Sequence, residues 1–129
     1  MPTKIVDIDA EKITATRFDI FYMREDFFRD GNMGTSFLEA QGKLPDPWKI
    51  YQTHVELKEL NYDHPVSLEE VYHDMQGEVW SPNGEARDLI REKGLRHTSM
   101  SVGDIVHVSG QNGGCFIVDS WGFKKLQAY

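Results

Sequence analysis

Five histidines, one cysteine and 21 carboxylates are the side chains in this 129-residue sequence with proton-transfer, nucleophilic or metal-ligating chemistry open to them. The histidines are His54, His64, His73, His97 and His107. No two of them stand four apart on a helical stretch and no H-E-x-x-H occurs, so the zinc-protease arrangement is missing. His73 and Asp74 are adjacent and point apart. His54 and His107 fall on segments that read as strands of one sheet, which puts them within range of meeting in space. Cys115 follows two glycines and enters a strand. A nucleophilic thiol needs a nearby cation or helix N-terminus to lower its pKa, and none is close in sequence; the residue reads as a small apolar core side chain. A single cysteine also excludes an intramolecular disulfide and a multi-cysteine zinc site within one chain. Glu69 and Glu70 belong to the first turn of a helix, where negative charge is favoured anyway. No acid pair stands out as glycosidase-like. The glycine-rich "GQNGG" lacks both G-x-G-x-x-G and a Lys-Ser/Thr, so no phosphate loop is indicated. No cofactor and no metal is expected on these grounds.

The richest stretch runs from Met75 to Val108. "GEVWSPNGEARDLI" places Trp80 just before a helix N-terminus, where the free N–H groups of Asn83 and Gly84 suit an anion, with Arg87 inside the helix. "LRHTSMS" then sets Arg96, His97, Thr98, Ser99 and Ser101 on a connector. Loops on a rigid scaffold are where recognition groups gather, so Trp80, Asn83, Arg87, Arg96, His97, Ser99 and Ser101 form the candidate binding set. The competing explanation is local: Trp80 as a core or staple residue, and the hydroxyls as turn chemistry.

These residues need a frame. "TRFDIFYM" alternates, with Phe18, Ile20 and Tyr22 on one face, and reads as a strand. "REDFFRDG" reads as a short turn or helix closed by Gly31. "TSFLEAQG" reads as one helical piece capped by Thr35 or Ser36 and ended by Gly42. "GKLPDP" breaks regular structure and acts as a connector. "WKIYQTHVELKEL" alternates again and is predicted as a strand. In "SLEEVYHDMQG", Ser67 and Glu70 make a capping box, and Leu68, Val71, Tyr72 and Met75 keep helical spacing. "SPNGEARDLIREKG" is a second helix, entered at Ser81 or Asn83, with Ala86, Leu89 and Ile90 as its stripe and Gly94 at its end. "SVGD" suits a type II turn with Gly103 at the position needing φ > 0. "DIVHV" and "CFIVDSW" are strands joined by the loop "SGQNGG", and "GFKKL" is a last short strand or a tail. Grouped helices and grouped strands predict one α+β domain over residues 1–129, with a mainly antiparallel sheet and two central helices packed on one face.

A chain of this length buries roughly 65–70% of its unfolded surface and needs no staple. No apolar run approaches the ~20 residues that span a bilayer, and "MPTKIVDIDAEK" has no apolar signal core; the expected compartment is the cytoplasm and no membrane contact is expected. The net charge is −7. The main basic residues, Arg87, Arg91, Lys93 and Arg96 with Lys124 and Lys125, are outnumbered, which disfavours nucleic acid and suits an acidic protein docking on a basic partner. Oligomeric state is left open.

"RFDIFYM", "GEVWSPNGEAR" and "HTSMSVGD", in that order along most of the chain, resemble a group of small proteins of unassigned activity from bacteriophages, plasmids and other bacterial mobile elements. The resemblance implies a context and no reaction. "SVGDIVHV…FIVDSWGF" is also similar to β-barrel modules of the PUA and ASCH kind, several of which bind RNA. The expectation is a non-enzymatic accessory protein acting through a protein partner, with residues 80–101 in the contact surface. One alternative is a PUA/ASCH-like RNA or nucleotide binder, with Trp80 or Trp121 stacking on a base. A further one is an enzyme using His97 or Cys115.

Overall fold

A computed structural model describes residues 3–76, 85–95, 97–110 and 113–128. Among these residues, six strands form one antiparallel sheet: β1 (Thr3–Asp7), β2 (Thr14–Met23), β3 (His54–Ser67), β4 (Ile105–Val108), β5 (Gly114–Val118) and β6 (Phe123–Ala128), in the order β1-β6-β5-β4-β2-β3. Four α-helices accompany them among the described residues: α1 (Glu25–Gly31), α2 (Thr35–Ala40), α3 (Leu68–Asp74) and α4 (Glu85–Glu92). The fold is α+β with a sheet that is antiparallel throughout, as the grouping of segments predicts.

Alternation along the strands sends apolar side chains to both faces. Val106, Val108, Phe116 and Val118 join Phe18, Ile20 and Tyr22 in one buried cluster, together with Leu68, Val71 and Met75 of α3 and Ile90 and Leu95 at the end of α4. Ile105, Cys115 and Ile117 point the other way and join Met23, Leu126, Phe27 of α1 and Leu38 of α2 in a second cluster. A sheet buried on both faces reads as near-continuous apolar runs, which explains "DIVHV" and "CFIVDSW". The short α1 and α2 are therefore structural cover for a whole face of the sheet.

Two segments differ from their sequence expectations. Residues 48–53 are a turn and a 3-10 helix at Ile50–Gln52, so β3 starts only at His54. β3 then runs on to Ser67, through residues 61–66, which carry no predicted element, and up to the predicted helix cap. Its register against β2 slips between Ile20 and Phe21, where Leu57 is skipped. Such a bulge adds a residue to one strand and lets Leu57 and Leu60, of opposite parity, pack in the same cluster. β1 was not anticipated: Thr3, Lys4, Ile5 and Val6 are only partly covered and Asp7 is exposed, and its pairing partner, β6, is distant in sequence.

The helix ends follow local chemistry. Ser67 Oγ accepts from the Glu70 N–H at 3.3 Å, the first half of the expected capping box. α4 closes with a Schellman pair, Leu95 N donating to Ile90 O at 2.9 Å and Gly94 N to Arg91 O at 3.1 Å, with Gly94 at φ 68°. α2 has no side-chain cap of its own. Instead Asp119, in the β5–β6 turn, accepts from both the Thr35 N–H and the Thr35 hydroxyl.

Candidate functional site

Of the residues singled out from sequence, Trp80, Asn83 and Arg96 lie outside the described residues. Arg87 lies exposed on α4. The other three are drawn partly inward. Ser101 Oγ donates to Ser99 O at 3.1 Å, and His97 is held by Asp104.

Asp104 is the centre of this arrangement. The turn Ser101–Asp104 closes through Asp104 N donating to Ser101 O at 3.0 Å, with Gly103 at φ 100° as the type II turn requires. The turn drops the Asp104 carboxylate into the interior with no solvent exposure. One oxygen accepts from the Met23 N–H at 2.9 Å. The other accepts from the Ser101 N–H at 2.8 Å and from His97 Nε2 at 2.8 Å. A carboxylate oxygen here accepts, so Nε2 carries a proton. The His97 ring stacks on Tyr22, with centroids 4.5 Å apart and planes 10° apart, and meets Phe28 of α1 at 5.0 Å. Its Nδ1 is buried and has no hydrogen-bond partner among the described residues. Tyr22 in turn donates its hydroxyl to Thr98 O at 2.7 Å. Burial pushes the Asp104 carboxyl above the usual carboxylate range, against the pull of His97, Ser101 and Met23. Burial likewise raises the Tyr22 phenol, with the Asp104 charge adding to it.

A second buried imidazole lies nearby in the fold. His54 Nε2 donates to Gly103 O at 2.7 Å, and its Nδ1 lies 2.7 Å from Thr53 Oγ1. Burial lowers its pKa to about 4, with Arg24 adding to the effect and the Gly103 hydrogen bond opposing it. His54 and His107 do not meet. His54 aligns with Met23 and His107 with Asp19, four positions apart on β2, and His107 Nδ1 lies 3.2 Å from Asp19 Oδ2. Cys115 stands opposite His107 in the β4–β5 ladder, and burial raises its thiol to about 11. These groups hold the end of β2, the turn before β4 and helix α1 together. Sequence reasoning missed Asp104, Tyr22 and Phe28 as one unit. The available signal was an acid placed directly before a mostly apolar strand, where an internal partner justifies it.

A concave surface lies at the β5–β6 turn. A cleft of about 320 Å³ is lined by Ala10, Glu69, Tyr72, Val118, Phe123 and the turn residues 119–122. Trp121 stands at the turn tip, 91% exposed. Tyr72 and Phe123 meet edge to face, with centroids 6.2 Å apart. Glu69 interacts with Glu11, whose carboxyl it raises by hydrogen bonding and repulsion, with Asp9 adding to the effect. Across the cleft, burial raises the Asp119 carboxyl, but the hydrogen bonds from Thr35 and from Ser120 N and the Lys124 charge bring it below its ordinary range. The sequence signal was "DSWG", a tryptophan in a glycine-flanked turn between two strands. Trp48 is a second exposed tryptophan, at 82%, in the connector before the 3-10 turn.

Among the described residues no group of three or more His, Cys, Asp or Glu is placed to hold a metal ion, and no helix is long and apolar enough to cross a membrane. Comparison of the chain with protein-family models, curated proteins and solved structures gives no match.

Proposed function

We propose that this chain is a small acidic binding protein that acts through a protein partner, as an accessory product of a phage or other mobile element, and that it is not an enzyme. The observation that carries the reading is Trp121, almost fully exposed beside an open cleft. An aromatic ring left in water at the rim of a concavity is characteristic of a recognition surface. Supporting it, the two side chains considered for catalysis are poorly placed for chemistry. Cys115 is buried with a raised pKa, so little thiolate forms near neutrality, and His97 is stacked between aromatic rings and tied to a buried carboxylate. Affinity capture from bacterial lysate with the full chain tests the reading. A specific partner retained at micromolar concentration is expected, and none retained at that level overturns it.

The PUA/ASCH-like reading draws on the same exposed ring, which is free to stack on a base. Lys124, one of the cations it needs, is already engaged by Asp7, and the cleft carries carboxylates. A salt titration with RNA decides, because backbone contacts make affinity fall steeply with salt.

A further inference from the structure

We infer that the cleft under Trp121 is a receptor for a basic side chain, an arginine or lysine presented by a protein partner. This rests on the partner-binding reading and adds the chemistry of what is bound. Three features of the cleft point to a cation on an apolar stem. The first is aromatic surface: Trp121 at the rim, with Tyr72 and Phe123 in the lining. Ring faces attract guanidinium and ammonium groups, and tryptophan does so most strongly. The second is charge. Glu69 lines the cleft, with Glu11 and Asp9 beside it; Asp119 also lines it, but its carboxylate oxygens are engaged by Thr35 and the Ser120 N–H. Glu69 and Glu11 repel each other at the surface, and a bound cation relieves that repulsion. Two lysines lie near this group: the Lys124 ammonium is held by Asp7 on β1, and Lys12 follows Glu11 in the turn that its N–H closes on Asp9 O, with its side chain exposed. The third is size. At about 320 Å³ the cleft stands at the lower end of the ~300–1,000 Å³ range of small-molecule sites. That suits one long side chain rather than a cofactor. The net charge of −7 draws a basic partner toward the surface as a whole.

The test is an amide-shift NMR titration of the full chain with three capped hexapeptides of one design, Gly-Gly-X-X-Gly-Gly, where X is arginine, glutamate or leucine. The arginine peptide is expected to move the amides of residues 10–11, 69–72 and 118–123, and the other two to leave them still. Trp121→Ala and the double change Glu11→Gln with Glu69→Gln are each expected to weaken the arginine peptide roughly ten-fold. All three positions are exposed or at the surface, so the variants are expected to fold, and their amide spectra verify it. Arginine-peptide shifts elsewhere, equal response to the leucine peptide, or no response overturns the inference. So does an oligothymidylate that moves the same amides more strongly, which points to base stacking instead. Repeating the lysate capture with Trp121→Ala separates the two claims. A partner retained equally by the variant overturns the cleft while leaving partner binding intact, whereas no partner retained by the natural chain overturns partner binding whatever the peptides do.

Discussion

At the scale of single residues, the buried Asp104 and His54 both meet the 101–104 turn, where it packs on the end of β2 and on α1. Asp104 satisfies two backbone N–H groups and one imidazole at once. Asp104→Ala strands all three donors and is expected to cost about 3–5 kcal/mol, read as a fall in the urea midpoint. His54 gives a pH dependence of definite sign. Its imidazole titrates near 6.5 when unfolded and near 4 when folded, so between those values the unfolded chain binds more protons. Its contribution is complete above pH 6.5 and is lost as pH falls toward 4, a change on the order of 3 kcal/mol. Urea midpoints at pH 7 and pH 4.5 measure it, and His54→Gln is expected to flatten the difference. Cys115, buried with its pKa raised to about 11, is expected to resist Ellman's reagent in the native state and react fully in urea. These roles were poorly legible in the sequence for a physical reason. His97 on a serine-rich connector looks identical whether it faces solvent or a carboxylate, and the acid that decides the matter is seven positions away behind a turn. Cys115, by contrast, was legible, because its apolar neighbours and lack of a local cation already describe a core thiol.

At the scale of elements, the type II turn before β4 does more than reverse the chain. A Cβ at Gly103 would stand 2.8 Å from the carbonyl carbon and oxygen of Gly31 and press on the Met23 sulfur. The turn therefore packs directly on the end of α1, and this contact sets Phe27 against His54 and Phe28 against His97. Gly103→Ala, wrong in both φ and space, is expected to cost about 3 kcal/mol or more. Gly94→Ala shares the positive φ but meets nothing within 4 Å, and is expected to cost only about 1 kcal/mol. Thermal melts of the two variants side by side check the contrast. Turns, caps and the helix ends at Gly94 and Ser67 were readable because they depend on a few adjacent residues. The start of β3 was not, since "WKIYQT" alternates like a strand, yet the chain there forms a turn and a 3-10 helix. Nor was β1 evident, because five residues with a distant partner carry little local signal. β3 forms one edge of the sheet, and Glu56, Lys58, Glu59, Asp63 and Pro65 along it discourage pairing with another chain.

At the scale of the whole molecule, the buried network and the aromatic cleft adjoin at Val118, which lines the cleft while its backbone bonds Gly103 and Asp104. The buried network ties α1 to the centre of the sheet, while the aromatic cleft belongs to the β5–β6 turn, α3 and the loop before β2. Trp121→Ala is expected to change stability by no more than about 0.5 kcal/mol while abolishing capture of the partner, with a melt and a pull-down as the paired measurements. α+β class and antiparallel sheet were legible from the grouping of segments. The position of the cleft was not, because it brings together Ala10, Glu69 and Trp121, and only the folded sheet sets those three side by side.

The ladder between β1 and β6 runs from Thr3 against Ala128 to Asp7 against Lys124. Its strands enclose nearly all the intervening chain, so the entropy of closing that loop falls hardest on this pairing. The pairing acts as the last button of a coat, fastening the first described strand to the last. In hydrogen–deuterium exchange this seam is expected to come undone before the central strands.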